Sequence, residues 1–178
     1  MSRLTTIRPE DATGAAAEVF AKIKKAVGKV PNAYATVGTH SPEALSAALA
    51  FDAAVGASTL GKADIEVIKL AVSEHVGCDY CVAAHTLMGK LAGLSSDGMK
   101  QVRAGLATGD AKRDALVTYV RTLVGARGTV PAAAVDAVRA AGYTERQLIE
   151  INLAIASITF TNLVNRVNDT TLDFPAVE

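Results

Sequence analysis

The stretch KADIEVIKLAVSEHVGCDYCVAAHTLMGKLAG, residues 62–93, decides how the whole chain is read. Ile65, Ile68, Val72 and Val76 recur at three- and four-residue spacing, the period of one face of an α-helix. Gly77 ends that run, and a second run from about Cys78 to Ala92 stops at Gly93. Two helices separated by a single glycine predict a helical hairpin.

The same spacing extends in both directions, and alternating β-branched or aromatic runs are missing, so the fold class is expected to be all-α. A first helix is expected from about Ala12 to Val27, stopped by Gly28 and Pro31. Ser41, Pro42 and Glu43 read as an N-cap, a first-turn proline and a dipole-favouring acid opening the next helix, with His40 in a loop before it. Beyond the hairpin, Ser95, Ser96 and Asp97 signal a short helix. Asp110 to Gly125, Pro131 to Ala140 and a long apolar helix from Thr144 to about Asn165 follow. The result is a bundle of about eight helices in a single domain over residues 1–178, with the hairpin at 60–93 as its core and TTLDFPAVE as a docking arm. Ile68 to Val72 is echoed by Ile151 to Ile155, which raises an internal duplication whose second copy lacks thiols.

Composition narrows the function. A chain of 178 residues has room for one site and enough core to fold without staples. Lys and Arg number 18 against 18 Asp and Glu, so no nucleic-acid or acidic-membrane partner is expected. The opening MSRLTTIRPEDATG lacks the apolar run of a signal peptide, and no stretch is expected to cross a membrane. The expected location is cytoplasmic. Two cysteines are too few for a disulfide scaffold and lie in one motif, so they read as chemistry.

On a helix, Cys78, Cys81 and His85 at i, i+3 and i+7 share a face. Thiols at i and i+3 near a helix start are able to close a disulfide, and the orphan N–H groups there favour thiolate. His85 stands four residues past Cys81, placed to take its proton. If the hairpin turns at Gly77 and Cys78, Glu66 lies about 16 Å back along one helix and His85 about 12 Å along the other, at nearly one level. A relay Glu66, His85, Cys81 follows, against the alternative of a surface Glu66 paired with Lys62 or Lys69. Rival readings are a zinc site from His75, Cys78, Cys81 and His85, thiols that only pack, or a non-catalytic protein whose small residues serve helix assembly. Tyr80 is expected to pack at a neighbouring element or a subunit boundary.

The string from Glu66 through Gly77-Cys78-Asp79-Tyr80-Cys81 to His85 resembles the signature of AhpD-like alkylhydroperoxidases in the carboxymuconolactone decarboxylase superfamily. VPNAYATVGTHSPEAL before it and NRVNDTTLDFP near the end also look like relatives called peroxidase-related. The resemblance implies an AhpD-like bundle and a thiol peroxidase reducing alkyl hydroperoxides or hydrogen peroxide. It makes Cys81 peroxidatic, Cys78 resolving, and Glu66 with His85 the proton relay, with no cofactor and no metal. It implies a dithiol reductant such as a lipoyl-bearing protein, and a homo-oligomer, trimer or hexamer; the thiols are expected to be reached from a cleft lined by Tyr80 and residues of the first two helices. Thiol-disulfide exchange and lactone decarboxylation are the alternative activities. Tyr80 stands where the best-known members carry a second histidine.

Overall fold

The computed structural model describes residues 2–177, and among them there are nine α-helices, one short 3-10 turn and no strand. The helices are α1 Gly14–Val27, α2 Asn32–His40, α3 Pro42–Gly56, α4 Lys62–His75, α5 Asp79–Leu91, α6 Ser96–Ala104, α7 Ala111–Gly125, α8 Ala132–Ala140 and α9 Glu145–Asn168. The all-α class is as expected.

Local chemistry explains most boundaries. Ser41 Oγ accepts the Ala44 N–H at 3.1 Å with Pro42 in the first turn, and the Asp110 carboxylate accepts from Lys112 and Arg113. Thr144 and Gln147 close a reciprocal capping box on α9. These contacts satisfy N–H groups that a helix start leaves without partners.

One helix more is present than the sequence predicts. Residues 32–40 read as a break between Pro31 and Ser41, yet they form α2, and His40 is its last residue. The reason is tertiary. Ala33, Ala35, Thr36, Val37 and Gly38 are buried, and a Cβ at Gly38 would collide with Phe20 and Leu45, so this glycine permits close packing between helices rather than a turn.

The larger core is built around α4. Val67, Leu70 and Ala71 are as fully buried as Ile68 and Val72, because α5, α6, α7 and α9 all pack against this helix. A second cluster joins α1 to α3 through Val19, Phe20, Ile23, Val37 and Leu45.

The hairpin itself is not repeated. Where the internal echo sets Phe160 and Thr161 against Gly77 and Cys78, α9 runs straight on for 24 residues, since no glycine interrupts it there. That helix also reaches the length and mean hydropathy, 1.3 over its best window, of a membrane span, which the sequence reading did not anticipate. Its buried face carries Asn162, Asn165 and Asn168, while Ile149, Leu163 and Val167 remain exposed. The chain exposes 9340 Å² in all, against about 8,000 Å² for a compact monomer of its mass.

Candidate functional site

The α4–α5 turn is made by Gly77, whose φ of +67° is a left-handed conformation that glycine adopts at little cost. The Cys78 N–H then donates to the Ser73 carbonyl at 2.9 Å, and Cys78 becomes the N-cap of α5. Cys81 follows one turn later. The two Sγ atoms are 2.6 Å apart, and each residue is 2% exposed. A small approach brings the pair to the 2.03–2.05 Å of a bond.

Glu66 and His85 meet across the hairpin. Glu66 Oε2 lies 2.8 Å from His85 Nδ1, and both side chains are largely enclosed. The similar rise along the two arms of the hairpin puts them at nearly one level, and the rotation of α4 that packs Ile65 and Val72 inward also turns Glu66 toward α5. The contact sets the ring's orientation and gives an imidazolium a counter-charge.

A third element, α9, reaches the thiols. Asn165 Nδ2 donates to Cys81 Sγ at 3.2 Å, and Asn162 Nδ2 donates to Ser73 Oγ at 3.1 Å. Arg166 Nη1 donates to the carbonyls of Val76 and Gly77, the latter at 2.7 Å, and thereby holds the turn that precedes Cys78. Asn165 thus brings to the Cys81 sulfur a hydrogen bond from a helix that the sequence reading did not place there. Sequence reasoning missed these residues, although asparagines at 162, 165 and 168 on an apolar helix are a readable polar stripe.

The two thiols titrate as a pair. The hydrogen bond from Cys81 holds Cys78 below the ordinary thiol range against its burial, and the Arg166 charge adds to this. Cys81 is pushed up, first by its bond to Cys78, then by burial and by the Cys78 charge, while Asn165 and Thr161 act in the opposite sense. The first negative charge therefore rests on Cys78.

Further polar groups frame the site. Tyr80, between the cysteines, accepts from the Ala33 N–H at 3.2 Å and donates to Asp173 Oδ1 at 2.6 Å. Its ring meets Phe174 edge to face at 5.4 Å, and Lys29 lies over Phe174 and pairs with Asp173. The C-terminal arm thus docks on Tyr80, which is buried rather than lining a cleft. On the α2, α3 and α9 side, Asp52 accepts from Lys69 at 2.9 Å, Ser157 at 2.6 Å and Tyr34 at 3.3 Å.

The four residues of the zinc reading are not gathered. His85 is on Glu66, and the His75 ring lies beside Gly125 of α7. Among the described residues no group of three or more His, Cys, Asp or Glu side chains is placed to hold a metal ion. His40 hydrogen-bonds the Thr5 carbonyl, away from the thiols. A cavity of about 280 Å³ opens on the other face of α5, between Ala83, Leu87, Lys90, Met99 and the arm residue Val177.

Residues 42–116, which contain the whole α4–α5 hairpin, match the model of the carboxymuconolactone decarboxylase family. A protein of unknown function from Agrobacterium tumefaciens, whose name proposes an AhpD role in antioxidant defence, superposes with a TM-score of 0.70 at 25% identity, over 76% of this chain and 94% of that one. The segment that carries both thiols is thus like the carboxymuconolactone decarboxylase family, and the chain as a whole has an AhpD-like helical fold. An uncharacterized peroxidase-related protein from Ralstonia eutropha, described as an alkylhydroperoxidase AhpD core, superposes on this AhpD-like chain with a TM-score of 0.84 at 21% identity, over 97% and 92% of the two chains. A debrominase solved with 2,3,4-tribromopyrrole does so at 0.81 and 18%, over 97% and 94%. At those two identities the likeness is one of fold. No curated protein matches the sequence.

Proposed function

We propose that this AhpD-like chain is a dithiol peroxidase that reduces alkyl hydroperoxides or hydrogen peroxide. The observation that carries the reading is the Cys78–Cys81 contact at 2.6 Å beside the Glu66–His85 pair at 2.8 Å. Cys78 is the thiol that ionises first, and a proton shift inside the pair then places the charge on Cys81, whose Asn165 and Thr161 donors favour a thiolate there.

Cys81 then attacks one peroxide oxygen. An S–O bond forms, the O–O bond breaks, and the leaving alkoxide or hydroxide takes a proton supplied by His85, whose charge Glu66 balances. Cys78 attacks the resulting sulfenic acid, the disulfide forms, and water leaves with the Cys78 proton. An external dithiol, of the kind a lipoyl arm presents, restores both thiols by exchange. No cofactor is required, and the reducing cytoplasm supplies the donor.

Assembly into a homo-oligomer, a trimer or hexamer, fits the exposed Ile149, Leu163 and Val167 stripe and the excess surface of the single chain.

The test is consumption of hydrogen peroxide and tert-butyl hydroperoxide with dihydrolipoamide or dithiothreitol as donor. Turnover lost in both single cysteine variants supports the reading. A wild-type protein with reduced thiols and no peroxide consumption overturns it.

A further inference from the structure

Two α9 residues adjacent in sequence address different sulfurs. Asn165 Nδ2 contacts Cys81 Sγ at 3.2 Å from a residue that is 4% exposed. Arg166 grips the carbonyls of Val76 and Gly77, so its guanidinium stands at the turn from which Cys78 emerges, on the solvent side. Gly77 is part of this arrangement, since a Cβ there would lie 2.8 Å from Arg166 Nη1. Asn162 and Ser73 fasten the same helix to the same hairpin one turn earlier. The α9 segment is therefore a rail that fixes one donor at Cys81 and one positive charge near Cys78.

We propose that Asn165 and Arg166 are the positioning residues that divide the negative charge between the two thiols, Arg166 favouring Cys78 and Asn165 favouring Cys81. The inference rests on the thiolate chemistry of the proposed function but is read without peroxide. It names a control of which sulfur is charged that lies outside the Glu66, Cys78, Cys81, His85 motif.

The other groups facing the pair do not mimic this division. Tyr34 from α2 and Tyr80 on α5 are both held protonated, chiefly by burial, with Asp52 and Asp173 as their respective carboxylate neighbours. Asp79 on α5 opposes the ionisation of Cys78. From α4, Glu66 is engaged with His85 and Glu74 with Arg103. Arg166 is therefore the cation that draws charge to Cys78, and on Cys81 the buried amide of Asn165 acts ahead of the Thr161 hydroxyl, its neighbour on the same helix.

The experiment uses single-cysteine proteins, so that each sulfur reports its own surroundings. Alkylation by iodoacetamide is followed against pH in Cys81→Ser and in Cys78→Ser, each with and without Arg166→Met or Asn165→Leu. Arg166→Met should raise the Cys78 midpoint by roughly half a unit, about a threefold loss of rate below it, and leave Cys81 in place. Asn165→Leu should raise the Cys81 midpoint by about one unit and leave Cys78 in place. Arg166→Lys should keep most of the Cys78 effect, and about 1 M NaCl should erase the Arg166 effect while sparing that of Asn165. Thermal melts of all variants report folding independently. A substitution that merely loosens the fold moves both thiols together, and that result, or failure of either substitution to move its own sulfur, overturns the division. A protein inactive toward peroxide that still shows the crossed shifts would fail the proposed function and keep this inference.

Discussion

Tyr80 donates its hydroxyl hydrogen to Asp173 at 2.6 Å, so the residue between the two cysteines is fastened to the C-terminal arm. The same oxygen accepts the Ala33 N–H near the start of α2. One phenol thus joins three segments that are far apart in sequence.

Tyr80→Phe removes that oxygen and leaves a buried N–H without a partner. The expected cost is about 1–3 kcal/mol, measured by urea unfolding, with the arm becoming open to proteolysis. A variant as stable as wild type and equally resistant would mean that the arm is held without the phenol, by Lys29 and Asn32.

Glu66→Gln should keep a hydrogen bond to His85 but lose the counter-charge, and His85→Gln should remove the proton carrier. Peroxide turnover should fall by roughly 10²-fold in His85→Gln and by less in Glu66→Gln. Equal rates in all three proteins would remove the pair from the reaction.

Much of the hairpin was legible because its signals are local. Gly77 marks the turn, and helical rise alone sets Glu66 level with His85. The α9 contacts were not legible in that way, because spacing does not say which face of a long apolar helix turns toward which neighbour. Helix α2 escaped notice for a related reason. Gly38 and the β-branched residues around it weaken helix propensity, and the burial against Phe20 and Leu45 that overrides this is visible only in the fold.

Gly38→Ala therefore makes a sharp test of that packing. A substitution that would raise helix propensity on a surface should here destabilise the protein by about 1–3 kcal/mol in thermal or urea unfolding, because the methyl group meets Phe20 and Leu45. A stabilised variant would contradict the close approach of α2.

Asp52 gives a pH prediction. Burial alone would raise its carboxyl, but the Lys69 charge and the donors Ser157 and Lys69 outweigh this and hold it below the ordinary range. A carboxyl lower in the folded than in the unfolded chain stabilises the fold above the unfolded value, about 3.9, and that stability is lost as pH falls through the folded value. Unfolding free energy should thus decline below about pH 4, and Asp52→Asn should flatten that decline. At neutral pH the same variant should be weaker by about 3 kcal/mol, since Lys69, 9% exposed, loses its counter-charge. An unchanged acid limb in Asp52→Asn would assign the acid sensitivity to other carboxylates.

The central claim is that Cys78 and Cys81 are one redox unit, and the most direct measurement is mass spectrometry of the reduced protein after one equivalent of hydrogen peroxide. The account predicts that the peptide bearing both cysteines loses two hydrogens within a single chain, and that dihydrolipoamide restores them. Two free thiols on that peptide after peroxide treatment would contradict it.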